Sequence, residues 1–163
     1  MRIKEQSLYA DVRTWLEVRL KALFPKWEVE AFDTSRFKLS GFLDRTGLSD
    51  AFPGCDAFEI EVDVTGVLRR RNRNELAFVE CKSAPINLKD VGQILGYSRV
   101  ASPVLAVILS PAGLSSSLNL LLSAYNRVDL LEYGVGKRLK IATLDLRRKQ
   151  VDPNSVVPPG ELG

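Results

Sequence analysis

The sequence predicts an α/β domain in which a central mixed sheet is flanked by helices. Three observations carry the prediction. Apolar residues recur at helical spacing near the start of the chain. Two alternating segments are joined by a short basic connection. A continuous apolar run then lies between two further helical stretches.

Taken in order, Lys4 to Phe24 reads as an amphipathic helix, with Leu8, Val12, Trp15, Leu16, Leu20 and Leu23 on one stripe and Pro25 as its stop. Lys26 to Phe32 reads as a first strand. Residues 33–57, rich in Asp, Ser, Gly and Pro, read as a long loop with some local structure, a length that in a small domain often serves function. Phe58 to Leu68 alternates as a strand, Arg69 to Asn74 forms a polar connection, and Glu75 to Ser83 is the next strand. Asn87 is the expected N-cap of a helix running to about Ala101, with Leu88, Val91 and Leu95 as its core stripe. Pro103 to Ser110 reads as a buried strand. Gly113 to Asn126 reads as a helix, followed by short strands near Val128–Tyr133 and Arg138–Leu146. The expected organisation is one domain over residues 1–149 and a flexible C-terminal tail over 150–163, where Pro, Gly, Asn and Ser gather.

Composition narrows the chemistry. The chain of 163 residues suits a single core, and its net charge of +3 is only a weak pointer to an anionic partner. No apolar run approaches the ~18 residues of a membrane span, and the first twenty residues are too charged for a secretory signal. Two cysteines, Cys55 and Cys81, make no disulfide framework, so an intracellular, cytoplasmic location is expected. The chain has no histidine. That removes Ser-His-Asp and Cys-His catalysis, imidazole-bound zinc and any histidine base. Ser115-Ser116-Ser117 therefore reads as a helix start, and Gly134-Val135-Gly136-Lys137 lacks the spacing and the Ser/Thr of a phosphate loop.

What remains is carboxylate and lysine chemistry. Phe78-Val79-Glu80-Cys81-Lys82 places a carboxylate and an ammonium two residues apart in an apolar strand, hence on one face. Charges beside an apolar run must be paired or bind a metal. If Leu68 pairs with Glu75 across the basic connection, counting back places Asp63 opposite Glu80. Glu59 and Glu61 share the parity of Asp63, which leaves the choice of acid open at this point. The run Arg69-Arg70-Arg71-Asn72-Arg73 is either a solvated turn or a phosphate grip.

This combination of an acidic strand end, a hairpin, Phe-Val-Glu-Cys-Lys and a following helix resembles the PD-(D/E)XK nuclease superfamily over roughly residues 4–110. Val62 stands where the family's name has proline. Gln93 and Tyr97 resemble the Q-x-x-x-Y motif of the RecB-like branch, and Glu5 resembles an acidic residue many members carry on the first helix. The cysteines for an iron–sulfur cluster of that branch are missing. The resemblance implies a restriction-endonuclease-like three-layer sandwich and a DNA phosphodiesterase using Mg²⁺ or Mn²⁺. Asp63, Glu80, the Cys81 carbonyl and Glu5 would hold metal. Lys82 would orient or deprotonate water or stabilise the phosphate, and Gln93 and Tyr97 would touch a phosphate or a metal-bound water. Arg69, Arg70, Arg71 and Arg73 would meet DNA. Repair, recombination or defence are the expected settings, with a homodimer or a partner protein. Two other readings stand beside it: a non-catalytic nucleic-acid-binding module, and an assembly subunit that needs a partner.

Overall fold

The computed structural model describes residues 2–162. Its framework is a six-stranded mixed sheet with helices on both faces. The strands are β1 (Glu28–Asp33), β2 (Val64–Arg70), β3 (Arg73–Cys81), β4 (Leu105–Ser110), β7 (Lys140–Asp145) and β8 (Gln150–Val151), side by side in that order. A separate small ribbon pairs β5 (Glu132–Gly134) with β6 (Lys137–Arg138). β1, β2 and β3 form an antiparallel meander, β4 and β7 run parallel to β3, and β8 turns back antiparallel. The parallel step from β3 to β4 is bridged by helix α3 (Leu88–Ala101), as a parallel crossover requires.

Alternation along the strands builds two cores. Helix α1 (Tyr9–Leu23), entered through a 3₁₀ turn at Glu5–Leu8, lays Val12, Leu16 and Leu20 on Val64, Leu68, Val79 and Val107. It lies so close to β2 that a Cβ on Gly66 would stand 2.5 Å from Leu20 Cδ1 and force that side chain to move. The opposite face carries Val67, Leu76, Phe78, Ile108 and Ile141, covered by α2 (Leu39–Arg45), α3 and α4 (Ser116–Leu122).

The hairpin register is the expected one, with Leu68 opposite Glu75. Other expectations need correction. The ladder starts at Val64, so residues 58–63 are extended but outside the sheet. Phe58, Ile60 and Val62 are buried against α2, whose Leu39 and Ser40 amides donate to the carbonyls of Ile60 and Phe58. The expected loop over residues 33–57 contains α2 and two 3₁₀ turns, Ser49–Ala51 and Cys55–Ala57. In α3 the buried stripe is Val91, Ile94 and Ser98, and Leu88 is exposed. Val128–Leu131 is a 3₁₀ turn, not a strand. The expected flexible tail is packed: β8 pairs with β7, Val157 bridges Ile141, and Val156 and Leu162 are buried under α1. Arg19 fixes its end by donating to the Leu162 carbonyl at 3.2 Å. Among the described residues no helix is long and apolar enough to cross a membrane.

Candidate metal centre at the open end of the hairpin

The β2–β3 ladder stops at Val64 opposite Val79, while β3 continues to Cys81. Beyond that point β3 has backbone groups facing a strand that is no longer there. Backbone polar groups point alternately to the two edges of a strand. The Lys82 amide bonds to the Leu109 carbonyl on the β4 side, so the amide and carbonyl of Cys81 face the vacated β2 side. The side chain of Asp63 fills that place: its Oδ2 accepts the Cys81 N–H at 2.8 Å. Thr34, at the end of β1, fixes the chain there. Its amide donates to the Asp63 carbonyl at 2.9 Å and its hydroxyl to the Val62 carbonyl at 2.6 Å.

Glu80 and Lys82 share a face, with Lys82 Nζ donating to Glu80 Oε1 at 3.2 Å. Lys82 also stands 3.9 Å from Asp90 Oδ1. Asp90 is the third residue of α3 and part of a capping box with Asn87, each side chain accepting the other's amide. One carboxylate therefore ties the start of α3 to the lysine. Glu5 Oε1 accepts the Ser83 amide at 3.3 Å. Tyr9 lies close enough to Asp63 for each to shift the other's proton affinity. A groove of about 480 Å³, lined by Arg2, Lys4, Glu5, Gln6, Tyr9 and Ser83 among others, opens beside these groups.

Glu80 is only 6 % exposed, and its Oε2 is buried without a hydrogen-bond partner. Such a group is expensive unless something else binds it. Burial, then the charge of Asp63, pushes its pKa up to about 7 against the pull of Lys82. Burial also raises Asp63, opposed by the Cys81 amide, the Tyr9 hydroxyl and Lys82. For Lys82, burial works against the ammonium, but Glu80, Glu5 and Asp90 outweigh it and keep the group charged. Burial above all raises Tyr9 and Cys81, and the nearby carboxylates add to both, so phenol and thiol stay neutral.

The donor set fits a hard divalent cation. It offers a buried carboxylate with a free oxygen, a second carboxylate beside it, and a backbone carbonyl on the same edge. Among the described residues no group of three His, Cys, Asp or Glu side chains is placed to hold a metal ion, so any ion here would rest on two carboxylates. Water would complete the shell, which is how Mg²⁺ is usually held.

The other expected residues lie apart. Gln93 and Tyr97 follow Asp90 by three and seven positions on one side of α3, and Gln93 Nε2 donates to the Tyr97 hydroxyl at 3.3 Å. Arg69 to Arg73 sit at the opposite end of the hairpin, about 23 Å from Asp63 at ~3.3 Å per residue. The sequence reading missed Tyr9, Thr34 and Asp90. Only Asp90 carried a local signal, the Asn87-x-x-Asp90 spacing of a capping box.

No family model matches the chain, and neither a curated protein nor a solved structure is significantly similar to it.

Proposed function

We propose that the protein is a divalent-metal-dependent DNA nuclease on a restriction-endonuclease-like fold of the PD-(D/E)XK kind. The observation that carries the reading is the meeting of Asp63, Glu80 and Lys82 where the β2–β3 ladder ends, with Glu80 Oε2 buried and unpartnered. A buried carboxylate pair against a charged lysine is costly as pure structure and useful as a cation site.

In this reading Asp63 and Glu80, with the Cys81 carbonyl, hold Mg²⁺ or Mn²⁺. The bound ion supplies charge neutralisation at a phosphoryl oxygen and a more acidic water. The chain's own groups do the rest. Thr34 and the Cys81 amide hold Asp63 in place before substrate arrives. Lys82, kept charged by Glu80 and Asp90, donates from Nζ to the phosphoryl oxygens as negative charge builds there. The neutral Tyr9 phenol beside Asp63 adds no charge to the carboxylate pair. Gln93 and Tyr97 follow Asp90 along one side of α3 and would serve a flanking phosphate; their resemblance to the Q-x-x-x-Y motif favours a repair- or defence-type nuclease without site specificity.

The test is a gel assay over duplex, branched and single-stranded DNA with and without Mn²⁺. Metal-dependent cleavage by the wild type, lost in Glu80→Gln and Lys82→Ala, is expected. Cleavage that persists in both variants at the wild-type rate removes the assignment.

A further inference from the structure

We propose that the tip of the β2–β3 hairpin is a second phosphate site, gripping the backbone of duplex nucleic acid away from the metal centre. A recess of about 400 Å³ at the tip is lined by Arg70, Arg71, Asn72 and Arg73, all of them hydrogen-bond donors. Among the described residues, Arg73 alone of these arginines has an acidic partner, Glu75 at 3.4 Å. Arg70 and Arg71 are exposed, and among the described residues neither forms a salt bridge.

Arg71 is one of four non-glycine residues with positive φ among the described residues, with Ser102, Asn126 and Lys149. It holds φ at +53°, a left-handed conformation that glycine or asparagine adopts at less cost. Asparagine stands next to it and glycine would relieve the turn, yet the strained place carries a guanidinium. Strain of this kind is retained where function needs the side chain. The base of the tip is held firmly, because the Arg73 guanidinium lies over the Trp27 ring at 5.6 Å from its centre.

Geometry favours a grooved polyanion over a flat one. Arg70 and Arg73 are cross-strand partners and share a face, whereas Arg69, one residue earlier, is half-buried and faces the other way, opposite Glu28 of β1. Cations on both faces of a ribbon reach the two phosphate rows that flank a duplex groove, whereas a flat anionic surface would meet only the tip. Arginine's planar fork also matches phosphate oxygens in pairs. The tip lies about 23 Å from Asp63, the length of about seven base pairs at ~3.4 Å each. That spacing to a cut rests on the nuclease reading, whereas the binding itself does not.

The experiment is fluorescence anisotropy of a labelled duplex of about twenty base pairs in EDTA, where no cleavage can occur, read across a salt series. Arg71→Gly and Arg70→Gln should each weaken binding roughly 5- to 10-fold at 0.1 M salt and lower the salt slope by about 1. Arg71→Gly should melt no lower than the wild type. Arg127→Gln, which removes an exposed cation elsewhere, should bind as the wild type. Wild-type affinity in both tip variants overturns the proposal. So does an equal loss in Arg127→Gln, or wild-type binding to phosphatidylserine vesicles or inorganic phosphate but not to duplex. Cleavage without tip-dependent binding removes the tip and leaves the nuclease. Tip-dependent binding by a protein that never cleaves does the reverse.

Discussion

The two ends of the β2–β3 hairpin hold opposite chemistry on one ladder. At the tip the register runs unbroken to Arg70 opposite Arg73, and the side chains are exposed and cationic. At the open end the ladder stops at Val64 and β3 runs on without a strand on its β2 side, beside the buried Glu80 and the half-buried Asp63. At the tip, exposed Arg70 and Arg71 are solvated, and Arg73 rests on Trp27 and Glu75. The open end needs partners, because a buried amide without an acceptor costs about 1–3 kcal/mol. The Asp63 carboxylate meets that need at Cys81, and so the acid is placed by the sheet's own unfinished hydrogen bonding. The same arrangement leaves Glu80 short of a partner.

The largest expected effect that separates the two ends is on cleavage. Lys82→Ala should lower kcat by about 10³-fold, the scale of losing one preorganised donor, while far-UV circular dichroism stays native because the ammonium bonds to the side chains of Glu80 and Asp90 and, among the described residues, to no backbone group. A loss confined to KM would contradict its assigned role.

Next comes stability. The folded pKa of Glu80 is raised to about 7 from an ordinary value of 4.5, chiefly by burial. The folded state therefore binds the extra proton, and this favourable contribution is complete below pH 4.5 and lost as pH rises through about 7. Metal-free protein should melt at falling temperature across that window. Glu80→Gln should be more stable than the wild type at pH 8 by on the order of 1–3 kcal/mol. Thermal melts in EDTA at a series of pH values test this, and parallel curves for the two proteins would contradict it.

Asp90 divides capping from charge. Asp90→Asn keeps an oxygen for the Asn87 amide but loses the charge facing Lys82. It should melt close to the wild type and lose roughly 10-fold in kcat. Asp90→Ala should lose the cap as well and fall by about 1 kcal/mol in stability. Equal kcat in Asp90→Asn and the wild type would free Lys82 from this partner. The smallest effect is at the tip, where Arg71→Gly should change the cleavage rate at saturating DNA by less than about 2-fold.

The register of the hairpin was legible because strict alternation fixes parity and a short basic connection fixes the turn. Glu80 and Lys82 were legible for the same reason. Alternation misled at residues 58–63, since Phe58, Ile60 and Val62 report a half-buried extended chain whether or not a neighbouring strand bonds to it. Composition misled at residues 150–162, whose Pro and Gly are punctuation between buried Val156 and Leu162. Helical spacing placed Leu88 in the core, but it is the first residue of α3, on the exposed turn. Thr34 and Tyr9 were out of reach, because each meets Asp63 across a long stretch of chain and neither carries a local signature.

The most direct measurement is a calorimetric titration of Mn²⁺ into the wild type, Asp63→Asn and Glu80→Gln at pH 8. A saturable site in the wild type that both variants lose is expected, together with a rise in the wild-type melting temperature on adding the ion. No binding by the wild type, or the same binding by all three proteins, would contradict it.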